Sequence, residues 1–170
     1  DAIGNKDISL SKLEDISYFK TGRLFEASAR CGALLSDSKG SYVKNISECA
    51  KNLGIVFQIK DDLLDYLGQE NAIGKPAFQD IKEGKVTYPF YFAYKNAGNK
   101  DKKILLNMLG NKKISHLKVS KLINKLGGII KTENLAAKYI KKCKASALKI
   151  DKHIQQEMLK LLDSSINRDK

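Results

Sequence analysis

The sequence Phe57-Gln-Ile-Lys-Asp-Asp-Leu-Leu-Asp65 places three carboxylates and three large aliphatic side chains within nine positions. It closes a longer segment in which apolar residues recur at helical spacing, namely Val43, Ile46, Ala50, Leu53 and Phe57. This periodicity predicts an amphipathic helix from about Ser41 to Leu67. On that helix Gln58 and the three aspartates are spaced i, i+3, i+4 and i+7, so all four share one face.

The three aspartates of this face, Asp61, Asp62 and Asp65, form a pattern with a chemical meaning. Carboxylates crowded within two helical turns repel one another unless cations neutralise them. Mg²⁺ takes oxygen ligands and often completes its shell with waters and substrate phosphates, so it suits such a cluster. We therefore interpret the three aspartates as candidate Mg²⁺ ligands. An acidic stripe facing solvent is the alternative interpretation of the same pattern.

The segment after the aspartates breaks the helical pattern between Gly68 and Gly84 and predicts a long ordered loop. Loops of that length within a compact domain are usually functional. This loop and the residue after it supply Lys75 and Lys85 just beyond the carboxylates. A diphosphate–Mg²⁺ complex needs such lysines, because they add positive charge near oxygens that the metal leaves free.

Helical signals continue on both sides of this segment. Upstream, Ser11-Lys-Leu-Glu14 has the form of a capping box and predicts a helix that runs to about Leu35. Downstream, the pattern predicts helices over residues 88–96, 102–109, 115–126 and 133–164, the last with room for a break. No alternating pattern typical of strands occurs, and the predicted fold class is all-α.

Length and composition indicate one compact domain over residues 1–170. The chain is 42% hydrophobic and 29% charged, so it can bury a core. No apolar run approaches the roughly 18–20 residues of a membrane-spanning helix. Three cysteines without a CxxC pair argue against a disulfide framework or a zinc site. They are interpreted as ordinary half-buried thiols in a reducing, cytoplasmic setting.

The net charge of +12 is unevenly distributed along the chain. Residues 1–80 carry ten basic and twelve acidic side chains, whereas residues 81–170 carry twenty-one and seven. A basic half raises the prospect of nucleic acid, anionic lipid or phosphorylated ligands. Its lysines occur singly or in short clusters, so a solvated helix surface is the simpler interpretation.

The motifs around the aspartates resemble those of the trans-isoprenyl diphosphate synthases, the polyprenyl synthetase family. The segment from Phe57 to Asp65 resembles the second aspartate-rich motif of that family. The loop resembles its continuation through Gly74-Lys75, Asp80 and Glu83-Gly-Lys-Val-Thr-Tyr-Pro89. Upstream, Lys20-Thr21-Gly22 resembles the Lys-Thr segment, and Cys31-Gly-Ala-Leu34 resembles the helix that follows it. The likeness is greatest to octaprenyl and polyprenyl diphosphate synthases.

The resemblance implies an all-α bundle of the isoprenoid synthase type and a role for each matching residue. Asp61, Asp62 and Asp65 would hold Mg²⁺ on the diphosphate of an allylic substrate. That diphosphate would also be contacted by the lysines of the motifs, namely Lys20, Lys75 and Lys85. Thr21 and Gln58 would offer oxygen dipoles to the allylic carbocation. The implied reaction is condensation with isopentenyl diphosphate, with proton transfer to the leaving pyrophosphate, in a homodimer. No general base is therefore expected, and His116 and His153 are interpreted as surface residues.

Two departures from the family pattern bear on function. The family has a further aspartate-rich motif upstream of these segments, and this chain contains no second cluster of that kind. The chain is therefore expected to be the carboxyl-terminal portion of a synthase and inactive alone. In addition, Phe78 stands where many members have glycine, which leaves the conformation of the loop open.

Three other functions stay open from the sequence. The chain could be a non-catalytic partner subunit of a prenyl diphosphate synthase. It could also be a basic helical protein that binds nucleic acid through residues 95–170, although no nucleic-acid-binding module is recognisable there. Terpene cyclases share the fold and the ionisation chemistry, but the loop that carries Lys75 and Lys85 favours chain elongation.

Overall fold

The computed structural model describes residues 2–67 and 77–167 of the chain. These residues are predominantly helical. Ile3 and Lys85 form an isolated antiparallel β-bridge. The helices are α1 (Leu10–Ser17), a π-helical segment (Tyr18–Gly22), α2 (Arg23–Leu35), α3 (Gly40–Leu67), α4 (Gln79–Lys82), α5 (Tyr88–Asn96), α6 (Asn99–Met108), α7 (His116–Lys125), α8 (Gly128–Ala147) and α9 (Lys152–Ile166). The all-α prediction is confirmed.

Helix α3 matches its prediction within one residue, and α5 matches at both ends. The predicted capping box is wrong. Ser9 rather than Ser11 provides the cap, because the Ser9 hydroxyl accepts a hydrogen bond from the Lys12 amide at 3.1 Å. Helix α1 therefore begins at Leu10.

The predicted last helix is two helices that are separated by a turn. Helix α8 already begins at Gly128, after Gly127 turns the chain with φ of +74°. Helix α9 begins anew after Asp151, whose carboxylate accepts a hydrogen bond from the Ile154 amide at 3.0 Å. This capping contact is typical of a helix start, so the possible break becomes a boundary between helices.

The described residues form two compact units. The first unit comprises residues 2–13 and 61–135, and its core is built from the end of α3 together with α4 to α7. Its fully buried large side chains include Tyr66, Ile81, Tyr88, Phe90, Leu105, Val119 and Ile123. The start of α8 is held close to α5, because a Cβ atom at Gly128 would overlap the Pro89 carbonyl oxygen.

The second unit comprises residues 14–60 and 136–167. Its core combines most of α3 with α8 and α9, and includes Leu53, Val56, Cys49, Cys143 and Leu162. The two cysteines are fully buried with their Sγ atoms 3.5 Å apart, and Cys31 is exposed. All three thiols are free, as expected, but the interpretation as half-buried residues is wrong for each of them.

None of the helices in residues 2–67 and 77–167 combines the length and apolarity needed to cross a bilayer.

Candidate functional site

The aspartates predicted as metal ligands lie on the last two turns of α3, within the first unit. Asp62 is buried with 6% of its surface exposed, whereas Asp61 and Asp65 are half-buried. The flanking side chains Ile59 and Leu63 are buried almost completely. Burial of these apolar neighbours fixes the rotation of the helix about its axis, and therefore the direction in which the aspartates point.

Asp65 connects the end of α3 to the segment that begins α4. Its two carboxylate oxygens accept hydrogen bonds from the Gln79 amide at 2.8 Å and the Asp80 amide at 3.1 Å. Its backbone carbonyl accepts a third, from the Phe78 amide, at 2.8 Å. Each carboxylate oxygen retains a further lone pair that could face a cation.

The electrostatic environment of Asp65 favours binding of a cation. Burial, together with the nearby charges of Asp80 and Asp61, raises the pKa of its carboxyl to about 6, although the two amide hydrogen bonds oppose this shift. A raised carboxyl pKa means that ionisation costs folding free energy as the pH rises towards 6. A bound cation would relieve this cost, since it offsets both the lost hydration and the repulsion.

Lys85 lies at the end of the same segment and is held by two carboxylates. Its Nζ atom is 2.5 Å from Glu83 and 3.6 Å from Asp80, and its side chain is 43% exposed. The hydrogen bond to Glu83 is the main cause of its raised pKa, so Lys85 is cationic at neutral pH. Gly84, with φ of +76°, makes the turn that leads into Lys85. The other predicted loop lysine, Lys75, lies outside the described residues.

Phe78, which stands where the resemblance implies glycine in many family members, adopts a left-handed backbone conformation. Its φ of +60° is uncommon for a residue with a bulky side chain. The ring is buried and packs against Tyr66 at 5.9 Å and His116 at 5.1 Å between centroids. Aromatic packing therefore offsets the backbone strain. The prediction that His116 is a surface residue is wrong, because its half-buried ring lies against Phe78, whereas His153 is exposed as predicted.

The residues of the predicted Lys-Thr segment lie in the second unit, in the π-helical turn. Thr21 donates a hydrogen bond from its hydroxyl to Gln58 Oε1 at 2.8 Å, so the structure brings these two predicted site residues together. Lys20, next to Thr21 in the chain, is exposed. π-helical turns inside α-helices are frequent at functional sites.

A close helix crossing makes the contact between Thr21 and Gln58 possible. A Cβ atom at Gly54 would lie 2.7 Å from the Cα atom of Gly22. The two helix backbones are therefore closer together than any residue with a side chain at position 54 would allow. Phe25 and Phe57 pack beside the crossing with ring centroids 5.7 Å apart. Sequence analysis missed the role of Gly54, although a glycine in the interior of a predicted helix was the available signal.

The oxygen donors of the aspartate face fit Mg²⁺ as part of a larger coordination shell. In the part of the chain that the structure describes, no three acidic, histidine or cysteine side chains converge closely enough to hold an ion alone. Mg²⁺ usually binds one or two carboxylates and fills its remaining positions with waters and substrate phosphates. A face of half-buried oxygen donors beside a lysine fits that mode of binding, so the residues present are compatible with a shared Mg²⁺–diphosphate complex.

Similar folds occur in solved prenyl synthase structures. The chain superposes with a TM-score of 0.89 and 28% identity on the polyprenyl synthase from Caulobacter crescentus CB15, which was crystallised with calcium and isoprenyl diphosphate. It superposes with a TM-score of 0.85 and 31% identity on the geranylgeranyl pyrophosphate synthetase from Pyrococcus horikoshii. These matches cover 99% and 96% of this chain, and 53% and 50% of the other chains.

The sequence comparisons identify the family. The polyprenyl synthetase family model matches residues 1–126, and the chain belongs to that family. A geranylgeranyl diphosphate synthase from Sulfolobus acidocaldarius is 39% identical over 137 residues. That match covers 79% of this chain and 42% of the relative, so the chain spans less than half the length of this curated relative.

Proposed function

We propose that the protein containing this chain is a Mg²⁺-dependent prenyltransferase. It ionises an allylic diphosphate and condenses it head to tail with isopentenyl diphosphate to give a longer polyprenyl diphosphate. The observation that carries the proposal is the aspartate face of α3, which Asp65 links through backbone amides to the segment that bears Lys85. The synthase names of the relatives, and the isoprenyl diphosphate in the Caulobacter structure, support the substrate class.

The residues of the aspartate face and the three motif lysines serve the leaving group in this proposal. Mg²⁺ held by Asp61, Asp62 and Asp65 would supply Lewis-acid stabilisation of the departing diphosphate. Lys20, Lys75 and Lys85 would contact the same diphosphate. Lys85 would exchange its exposed pairing with Glu83 for the more highly charged phosphate oxygens, since ion pairs of exposed side chains are weak.

Thr21 and Gln58 would stabilise the positive charge that develops on the allylic group. The Thr21 hydroxyl has one proton, and that proton is committed to Gln58 Oε1. In this arrangement the hydroxyl presents lone pairs, rather than a hydrogen, to any other neighbour. Oxygen dipoles fixed before the reaction stabilise a developing cation without reorganisation. No side chain of this chain is assigned as a general base, and the leaving pyrophosphate accepts the proton in this proposal.

We further propose that the protein works in the cytoplasm as a homodimer. A non-catalytic partner subunit that retains these residues is the second candidate function. The acidic side chains of the described residues do not converge closely enough to hold an ion without a substrate diphosphate, and a non-catalytic subunit would show the same arrangement. Condensation activity of the purified full-length protein, without any added subunit, distinguishes the two candidates.

The test of the metal assignment is Asp61→Ala in the full-length protein. We expect the rate of Mg²⁺-dependent condensation to fall by about a hundredfold or more, because losing one charge-stabilising group typically slows catalysis on that scale. Incorporation of labelled isopentenyl diphosphate measures the rate. Asp15→Ala is the matched control, because Asp15 is exposed on α1. Near-normal turnover of Asp61→Ala would contradict the role of the aspartate face as a metal site.

A further inference from the structure

Helices α6 and α7 and the loop between them form an unusually basic surface. Residues 99–125, all of which the structure describes, contain eight lysines and a single acidic residue, Asp101. Six of these lysines are exposed and are not involved in the ion pair of Asp101: Lys100, Lys103, Lys112, Lys113, Lys118 and Lys121. We refer to these six lysines, together with Ile104 and Leu117, as the lysine surface.

The architecture of α6 and α7 directs these residues outward. The inner sides of the two helices bury Leu105, Val119 and Ile123 in the core of the first unit. The ion pair of Lys125 with Asp101, at 3.3 Å, joins the end of α7 to the first turn of α6. The exposed lysines lie on the faces of these helices opposite to the buried ones, and on their connecting loop.

Within residues 2–67 and 77–167, no carboxylate forms an ion pair with any of these six lysines. The acidic residue of the segment, Asp101, is engaged by Lys125. The loop after α6 approaches the end of α4, where the Gly110 amide donates a hydrogen bond to the Ile81 carbonyl at 2.8 Å. Asp80 and Glu83, the acidic residues on either side of Ile81, are both paired with Lys85, at 3.6 and 2.5 Å. The surface therefore keeps a high density of positive charge.

Apolar side chains within the lysine surface indicate which anionic partner fits it. Leu117 is 63% exposed beside Lys118 and Lys121, and Ile104 is 37% exposed beside Lys103. Amphipathic helices that bind membranes combine lysines with such aliphatic side chains, which enter the boundary between headgroups and acyl chains. Nucleic-acid surfaces use aromatic side chains or arginine for bases, and residues 99–125 contain no Phe, Tyr, Trp or Arg.

From this combination we infer that the lysine surface docks the protein on bilayers that contain anionic phospholipids. Attraction between clustered lysines and anionic headgroups provides the affinity, and Leu117 and Ile104 add shallow insertion. The contact is peripheral and reversible, and it weakens as ionic strength rises. It is independent of the reaction proposed above, because it involves none of the residues assigned to the site.

The experiment is sedimentation of the full-length protein with vesicles. Vesicles of phosphatidylcholine with phosphatidylserine are compared with vesicles of phosphatidylcholine alone. We expect binding only to the former and a decrease in binding as salt is added. The variant K103Q/K112Q/K118Q/K121Q should bind at least about tenfold more weakly, since each of the four lysines contributes separately to the affinity for an anionic surface. Leu117→Ser should weaken the binding that persists at high salt.

The control variant K39Q/K44Q/K141Q/K152Q removes the same net charge from exposed lysines of the second unit. It should bind like the unmodified protein, and equal loss in both variants would overturn the assignment to this surface. Absence of binding of the unmodified protein to phosphatidylserine vesicles would overturn the inference as a whole. Tighter binding to duplex DNA than to these vesicles would overturn the lipid assignment and identify a nucleic-acid surface.

Discussion

The carboxylate of Asp65 accepts hydrogen bonds from two backbone amides and also belongs to the row of aspartates proposed to face a cation. These two roles are compatible, because each carboxylate oxygen has more than one lone pair. The amide contacts fix the position of the side chain before any ion binds. Burial and the repulsion of Asp80, which together raise its pKa to about 6, are the costs of that position.

Asp65→Ala tests whether the amide contacts outweigh these costs. Because its pKa is raised, burial and repulsion outweigh the two amide contacts once the carboxyl is ionised, so we expect no loss in the free energy of unfolding of the variant at neutral pH. Below about pH 4 the carboxyl keeps its proton and both contacts without that cost, so there we expect the variant to be less stable by about 1 kcal/mol. Urea denaturation at both pH values measures this, with Asp15→Ala as the control. A loss at pH 7 as large as the loss below pH 4 would show that the amide contacts outweigh burial and repulsion.

Among the helices, α3 carries both Gln58 and the three aspartates that are predicted site residues. Its second-unit part carries Gln58, and its first-unit part carries the aspartates. The contact of Gln58 with Thr21 depends on two glycines, Gly22 and Gly54, that allow the two helices to approach. Helix packing, rather than the choice of the two polar residues, therefore sets their distance of 2.8 Å.

Gly54→Ala tests this close approach. The added methyl group would lie 2.7 Å from Gly22 Cα, so we expect destabilisation of about 1–3 kcal/mol, as for other overpacked positions. Gly32→Ala is the matched control. A Cβ atom there meets nothing within 4 Å, and the better helix propensity of alanine should stabilise α2 by up to about 1 kcal/mol. Thermal unfolding measures both variants, and equal effects of the same sign would contradict the proposed crossing.

The start of α9 gives a further prediction, in which the stability of the fold depends on pH through Asp151. The Ile154 amide and the Tyr42 hydroxyl both donate to Asp151, and they hold the pKa of its carboxyl below the usual 3.8. A lowered carboxyl pKa stabilises the fold above pH 3.8, and this contribution is lost as the pH falls through the folded-state value.

Asp151→Ala should therefore lower the thermal midpoint at pH 7, and its difference from the unmodified protein should narrow below about pH 4. Asp163→Ala, at an exposed position of the same helix, should show no such narrowing. A difference for Asp151→Ala that stays constant from pH 7 to pH 3 would refute the capping role.

The distribution of charge and the positions of the three cysteines are properties of the whole molecule. The sequence placed most of the positive charge in residues 81–170, and the structure exposes much of it on α6 and α7. The three cysteines differ in a way that the sequence did not reveal. Cys49 and Cys143, separated by 94 positions, meet in the core of the second unit, whereas Cys31 is exposed on α2.

Thiol labelling of the folded full-length protein checks this arrangement. We expect iodoacetamide to modify Cys31 rapidly, and Cys49 and Cys143 only after denaturation, because buried thiols are shielded from the reagent. Peptide mass mapping separates the three positions from any others in the protein. Rapid labelling of Cys49 or Cys143 under native conditions would show that the second unit opens readily.

The sequence by itself determined the fold class and most helices, and it named the candidate residues of the site. Helical periodicity is a local property, so α3 and α5 could be predicted almost to the residue. The resemblance to a family implied that Thr21 and Gln58 serve the same site, but their hydrogen bond was not predicted. The placement of the three aspartates on one helix face followed from their spacing.

Only the tertiary structure decided which groups meet across long distances in the chain. The amide contacts of Asp65, the Gly22–Gly54 crossing and the packing of Phe78 on His116 all join different elements. Such contacts depend on the packing of whole helices, which periodicity within one helix does not specify. For the same reason His116, which looked like a surface residue in a basic segment, is half-buried against an aromatic ring.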